Sequence, residues 1–346
     1  MTGPDPGRPV RFGVLGCADF ARRRMLPVLV AADGVRVVAV ASRDRARAAE
    51  FAGRFGCAAV LGYDSLLASA EIDAVYVPLP AMLHAGWIEQ ALLAGKHVLA
   101  EKPMTGDHAT TERLLRLART RGLVLRENVG FPFHAQHTVL PKLLADGTIG
   151  ELRDFAAAFT VPPLPSTDIR NRPDVGGGAL LDIGVYPIRA ALHYLGPDLE
   201  VTGAVLRTDA RTGAVAAGRV LVHTPQGVTA DLHFGMAHSY RTTCEFSGSQ
   251  GRLSIDRAFT PPPAFRPVVR VERQDHSEEI TLRADDQFAN LVGSFVRAVR
   301  TGEPGGSGAA SGAGWAGCVG GAHTEASLHQ ARLVSAVEEK AVRFVL

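Results

Sequence analysis

A long apolar run is missing from this sequence. The amino terminus, MTGPDPGRPVRFGVLGCADF, is polar and proline-bearing, and its first apolar stretch is short and broken at Asp19. That pattern fits neither a signal peptide nor a membrane span, so a cytoplasmic protein without membrane contact is expected. A dominant charge is missing too: a net charge of +2 gives no general attraction to nucleic acid or anionic lipid. Cysteine is scarce. Cys17, Cys57, Cys244 and Cys318 are scattered, with no Cys-x-x-Cys pair for zinc or a redox couple, and reduced thiols are the simplest reading. His134 and His137 resemble a metal pair by spacing, yet no His-Glu-x-x-His motif or cysteine cluster accompanies them. Satisfied or substrate-facing imidazoles, and no metal, are expected.

What is present is a chain of 346 residues with 46% hydrophobic and 21% charged residues, enough for two globular domains. Short apolar runs and helix-like segments alternate over the first third. Arg11–Gly16, Val35–Ala41, Ala58–Leu61, Ile72–Val77, the run ending at Ala100, and Leu123–Asn128 read as strands. Asp44–Phe55, Ala85–Ala94 and Thr105–Gly122 read as helices between them. Strands alternating with helices of about 10–15 residues predict a doubly wound parallel sheet, with ligands beyond the carboxyl ends of its strands. Lys102, in KHVLAEKPMTG, stands at such an end.

GCADFA, residues 16–21, follows the first strand and opens the first helix. It is a G-x-A-x-x-A form of the dinucleotide fingerprint, with Cys17 and Phe20 inside it. Gly16 permits the tight turn, Ala18 keeps backbone approach close, and Ala21 lets helix and sheet pack. Backbone N–H groups at the helix start then face a pyrophosphate. The second strand runs into Ser42-Arg43-Asp44, with Arg47 one helical turn on. A hydroxyl and guanidinium groups suit the 2′-phosphate of NADP(H), whereas Asp44 would suit the ribose of NAD. NADPH is the expected cofactor.

After Asn128 the pattern changes. A helix over Gln136–Ala145 leads into extended segments at Leu152–Val161, Val201–Thr208, Gly218–His223, Val228–Phe234 and Cys244–Phe246, with a hairpin signal in HTPQGV. Strands without intervening helices predict a large, mainly antiparallel sheet whose broad face could cover substrate or another subunit. Residues 1–128 are therefore expected to form the cofactor-binding domain and 129–346 an α+β domain for substrate and oligomerisation. Between the first two strands of the second domain, the triple glycine 176–178 precedes a helix carrying Asp182 and Tyr186, four apart and on one face. Residues 303–322 read as a flexible glycine-rich segment with Trp315 as a local anchor, and a last helix covers about Thr324–Lys340.

FGVLGCADFA, AEKP, VGF and GGGALLDIGVYP together resemble the glucose–fructose oxidoreductase/inositol dehydrogenase family over nearly the whole chain. The resemblance implies a Rossmann domain followed by an α/β domain with an open sheet, and NAD(P)-linked chemistry on sugar carbons. It assigns Lys102 as the active-site lysine, Asp182 as its carboxylate, and Tyr186 to a place where many members carry histidine. Pro78, Leu79, Pro80 and His84 match the loop lining the cofactor, Glu101 and Lys102 border the nicotinamide ribose, and Arg170 matches a cofactor-side arginine. Alanines at positions 18 and 21 and the glycine-rich segment near the end depart from the family pattern.

Within the family, GCADFARR, EKPMTGDHATTERLL and LRENVGFPFHAQH are most similar to nucleotide-sugar 3-ketoreductases of bacterial deoxysugar pathways. That implies NADPH-dependent reduction of the C-3 ketone of a TDP-linked 3,4-diketo-2,6-dideoxyhexose, in a dimer or tetramer. Tyr186 would give the proton while Lys102 stabilises the phenolate; the reverse assignment stays open. A dihydrodiol or xylose dehydrogenase of the same family, and a nucleotide-sensing regulator without chemistry, are the competing readings.

Overall fold

The computed structural model describes residues 8–302 and 323–345. The segment 303–322, with Trp315 and Cys318, lies outside the described residues. Contacts divide the chain into two units. One comprises residues up to 128 with 288–302 and 323–324; the other comprises 129–287 and 325–345.

The first unit alternates as β1 (Val10–Leu15), α1 (Leu26–Ala31), β2 (Val35–Ser42), α2 (Arg45–Phe55), β3 (Ala58–Leu61), α3 (Tyr63–Leu67), β4 (Ala74–Val77), α4 (Ala81–Leu93), β5 (His97–Ala100), α5 (His108–Thr120) and β6 (Leu125–Glu127). All six strands run parallel in the order β3-β2-β1-β4-β5-β6. Phe12, Val14, Val40, Val75, Val77 and Leu99 are fully buried in this sheet. Such continuous burial explains why the strands read as unbroken apolar runs, without alternation. Strand order reverses between β1 and β4, the position where open α/β sheets leave a crevice.

The second unit opens with α6 (Gln136–Ala145) and β7 (Leu152–Thr160), then α7 (Val185–Leu195), entered through a π-helical turn over Leu180–Gly184. Next come β8 (Glu200–Thr208), β9 (Val215–His223), β10 (Thr229–Gly235), β11 (Arg241–Gly248), β12 (Arg252–Asp256), β13 (Val268–Arg273) and β14 (His276–Thr281). The chain then forms α8 (Gln287–Thr301), α9 (His323–Lys340) and β15 (Ala341–Val345). Nine strands form a sheet ordered β14-β13-β12-β11-β7-β10-β9-β8-β15, antiparallel except at β7–β10 and β8–β15.

Burial alternates along the second half of β9: Val220 and Val222 face the core, whereas Arg219 and Leu221 are exposed. The buried face packs under α7 through Phe155, Leu232 and Phe234, and the other face carries cross-strand ion pairs such as Arg219–Asp231 and Arg252–Glu272. A strand of period two with one wet face is what an antiparallel sheet covered on one side requires.

α8 has no counterpart in the sequence reading. Its Phe295 packs against Phe12 of β1 with ring centroids 5.6 Å apart, so it belongs to the first unit although it follows the second in sequence. Among the described residues, no helix is long and apolar enough to cross a membrane.

Candidate active site

Each unit holds one set of the residues singled out above. In the first, β1 delivers Gly16 with φ of +117°, a conformation open to glycine at little cost. A side chain there would also meet Leu79, since a Cβ would lie 2.8 Å from its Cδ2. Gly16 N–H donates to Ala41 O (2.9 Å), which closes the loop onto β2. Ala18 O accepts from Arg22 N–H (3.0 Å) and starts the helical turn, and Ala21 is fully buried beneath it. Phe20 lies edge-on to Phe288 of α8, with centroids 5.7 Å apart. Cys17 is buried; desolvation pushes its thiol pKa up, so it stays protonated rather than nucleophilic.

The carboxyl end of β2 distinguishes between a phosphate and a ribose partner. Asp44 does not stand free: its carboxylate caps α2 by accepting from Ala46 N–H (2.8 Å) and Arg47 N–H (3.3 Å). Ser42 Oγ accepts from Asp44 N–H (3.1 Å). Arg47 Nη2 donates to Cys17 O (3.0 Å) and so ties its guanidinium to the fingerprint loop, while Arg43 is exposed beside it. Charge, hydroxyl and loop backbone thus meet at one corner of the sheet, and the carboxylate there is already spent on a helix.

β4 ends in Pro78-Leu79-Pro80, which leads directly into α4. His84, on the first turn of that helix, is buried; its ring nitrogens face Pro103 O and Leu79 O, each at 2.7 Å. The imidazole therefore bridges the loop after β4 to the loop after β5. One strand over, Glu101 follows β5. Its Oε1 accepts from Tyr76 Oη (2.6 Å) and from Asn128 Nδ2 (2.5 Å), and its Oε2 accepts from Lys102 N–H (3.3 Å). Burial raises the Glu101 pKa, opposed by the Tyr76 and Asn128 hydrogen bonds and by the Lys102 charge.

Tyr76, Glu101 and Asn128 thus form a row across the ends of β4, β5 and β6, and Lys102 directly follows its middle residue. Tyr76 and Asn128 escaped the sequence reading. One signal existed: a tyrosine inside the apolar run AVYVP must find a partner for its hydroxyl when buried.

In the second unit, Asp182 lies in the π-helical turn and Tyr186 on the first turn of α7. The Tyr186 ring is walled by three phenylalanines: Phe159 at 5.1 Å, Phe259 at 5.7 Å and Phe131 at 6.4 Å between centroids. Phe159 and Phe259 stack on each other at 5.6 Å with their planes 15° apart. These walls come from a 3₁₀ turn before α6, from β7 and from the segment after β12, so no local motif announces them.

Arg170, which the resemblance assigns to the cofactor side, belongs to the second unit. Its Nη1 donates to Asp168 Oδ2 (3.2 Å), and its Nε forms an ion pair with Asp182 Oδ2 at 2.9 Å.

His137 is buried and His193 half-buried beside Phe131. His137 Nε2 lies 2.6 Å from Ala258 O, and its Nδ1 pairs with the Tyr194 hydroxyl. With one ring nitrogen donating to the carbonyl, the other accepts from Tyr194. Burial holds His137 and His193 below the usual histidine pKa. His134 is buried as well, and its Nδ1 accepts from Gln136 N–H (3.2 Å). Among the described residues, no group of three or more His, Cys, Asp or Glu side chains is placed to hold a metal ion.

Residues 10–129 match the family described as an oxidoreductase family with an NAD-binding Rossmann fold, and residues 137–254 match the GFO/IDH/MocA C-terminal domain. The chain is similar to a dTDP-3,4-didehydro-2,6-dideoxy-alpha-D-glucose 3-reductase of Streptomyces antibioticus, with 58% identity over 86% of this chain and 90% of that protein. An enzyme of the same name from Actinomadura kijaniata is 55% identical over 88% of this chain and 91% of that one. A solved structure of a 3-ketoreductase from Actinomadura kijaniata, in complex with NADP and TDP-benzene, superposes with a TM-score of 0.92 at 52% identity, covering 98% of this chain and 100% of that chain.

Proposed function

The chain belongs to the glucose–fructose oxidoreductase/inositol dehydrogenase family, and from that premise we propose that it is an NADPH-dependent ketoreductase acting on the C-3 ketone of a TDP-linked 3,4-diketo-2,6-dideoxyhexose. The observation that carries this reading is the similarity, at 50–58% identity over 85–96% of the chain, to four reductases named for that reaction.

The residues present fit the cofactor. Gly16, Cys17, Ala18, Phe20 and Ala21 would hold its pyrophosphate on loop backbone and helix start. Ser42, Arg43 and Arg47 would hold a 2′-phosphate, because the competing carboxylate of Asp44 is engaged in capping α2. Pro78, Leu79, Pro80, His84, Glu101 and Lys102 would line the nicotinamide side. Bound NADPH would supply the hydride to the C-3 ketone.

The oxygen then needs a proton and a nearby cation. We assign the proton to Tyr186 Oη: a phenol with an ordinary pKa of about 10 is protonated at neutral pH and has a proton to give. Lys102 Nζ stabilises the phenolate left behind and the charge developing on the ketone oxygen. Asp182 orients Lys102 or a sugar hydroxyl. The phenolate regains its proton from water after turnover. Residues 1–128 together with 288–302 then serve as the cofactor domain, and 129–287 with 325–345 as the substrate and assembly domain. The broad sheet face is assigned to self-association as a dimer or tetramer, and the protein to the cytoplasm.

NADPH consumption with a TDP-3,4-diketo sugar tests the reading directly, set against NADP reduction with D-xylose or a trans-dihydrodiol. Turnover confined to the free sugar or diol would move the chain to the dehydrogenase branch. Binding without turnover of any of them would leave a nucleotide sensor.

A further inference from the structure

We propose that Arg170 is a positioning residue for the reduction, acting through Asp182, and that the triple glycine is the seat of the turn that carries this arginine. The catalytic part rests on the ketoreductase reading.

The turn is built from its own side chains. Asp168 Oδ1 accepts from Arg170 N–H (2.9 Å) and opens a 3₁₀ turn over Ile169–Asn171. Asp168 Oδ2 takes Nη1 of the same arginine (3.2 Å), which fixes the guanidinium relative to its own backbone. From there Nε reaches Asp182 Oδ2 at 2.9 Å. One guanidinium thus serves two carboxylates, hydrogen-bonded to the one in its own turn and ion-paired with the one in the helical run that continues to Tyr186. Arginine meets that requirement, and a point-charge ammonium meets it only in part.

The glycines show why the turn can sit there. A Cβ on Gly177 would lie 2.6 Å from Arg172 O and 2.7 Å from both Arg170 O and Ile169 O. Three backbone carbonyls of the arginine turn therefore rest on this residue, and Gly177 N–H donates to Arg172 O (2.9 Å). Gly176 and Gly178, with φ of +83° and +121°, let the chain enter and leave the seat. The triple-glycine run is a close-packed contact.

The ion pair itself is too exposed to matter much for stability: side-chain exposure is 43% at Arg170 and 22% at Asp182. Its consequence is geometric. With Oδ2 held by the guanidinium, the Asp182 carboxylate keeps one orientation on the approach to Tyr186. A small misplacement of a positioning group is enough to cost up to about 10²-fold in rate.

The test compares wild type with Arg170→Gln, Arg170→Lys, Gly177→Ala, Asp182→Asn and the double variant R170Q/D182N. NADPH affinity is read by fluorescence titration, and kcat and KM with the TDP-ketosugar. NADPH affinity is expected to stay unchanged in R170Q, while kcat falls by up to about 10²-fold. Lysine is expected to restore part of the loss, G177A to copy R170Q, and the double variant to be no slower than D182N alone. Weakened NADPH binding in R170Q would return Arg170 to the cofactor, and multiplicative losses in the double variant would separate it from Asp182.

If wild type reduces no ketosugar, the functional reading fails by itself. Amide exchange of ligand-free protein still decides the pairing. Faster exchange at position 170 and at Gly177 is expected in R170Q, in D182N and, to the same extent, in the double variant; protection unchanged in D182N overturns it.

Discussion

The two units solve the problem of placing functional groups in different ways. The first works with backbone and strand ends: a glycine with positive φ, a capped helix, and a row of Tyr76, Glu101 and Asn128 spanning three adjacent strands. The second works with packed side chains gathered from afar. Tyr186 is walled by phenylalanines at positions 131, 159 and 259, and Asp182 is held by an arginine from across a triple glycine.

The largest expected effect breaks the second unit. Phe259→Ala removes a fully buried ring that touches Tyr186, Phe131 and Phe159 and should destabilise the protein by about 3–5 kcal/mol, read in urea unfolding. Phe259→Leu, which keeps most of the volume, should cost much less. Equal losses in the two would mean that the aromatic box is not a packing device.

Acid sharpens the comparison from the first unit. His97 Nδ1 accepts from Val124 N–H (2.9 Å), and burial lowers its pKa to about 4. The native ring stays neutral while the unfolded ring takes up a proton below its ordinary 6.5. The stability that His97 confers is thus complete above pH 6.5 and declines as pH falls toward 4, by on the order of 3 kcal/mol in all. Urea midpoints measured across that range should fall more steeply in wild type than in His97→Gln; parallel slopes would remove His97 as a cause.

Smaller effects separate phosphate from ribose recognition. Arg43→Ala should weaken NADPH binding about tenfold and leave NADH binding nearly unchanged, because only the former has a 2′-phosphate to lose. Asp44→Ala should lower stability by about 1 kcal/mol through loss of the α2 cap, with the preference between NADPH and NADH intact. A shift in that preference would show Asp44 to be a ribose ligand after all.

Legibility in the sequence follows the same division. α6 falls on the residues expected for it, and the parallel sheet emerges from runs such as Val75–Val77 and Val98–Ala100, whose full burial leaves no other reading. The fingerprint loop is local, so six consecutive residues announce it. β12 to β14 were passed over because charged residues alternate along them: Arg252, Asp256, Arg270 and Glu279 pair across their wet face. α8 carries a clear apolar stripe through Leu291, Val292, Phe295 and Val299, yet its partner Phe12 lies far upstream, and nothing local marks that return. The link between Arg170 and Asp182 has no local signal for a related reason: it depends on Gly177 lacking a side chain where the backbone of the arginine turn rests on it.

The central claim is that Tyr186 gives the proton in a reduction driven by NADPH. Single-turnover oxidation of bound NADPH by the TDP-ketosugar, in wild type and Tyr186→Phe, tests it most directly. A loss of roughly 10²–10⁴-fold in the phenylalanine variant, with NADPH affinity unchanged, is the predicted result. A rate near that of wild type would contradict it.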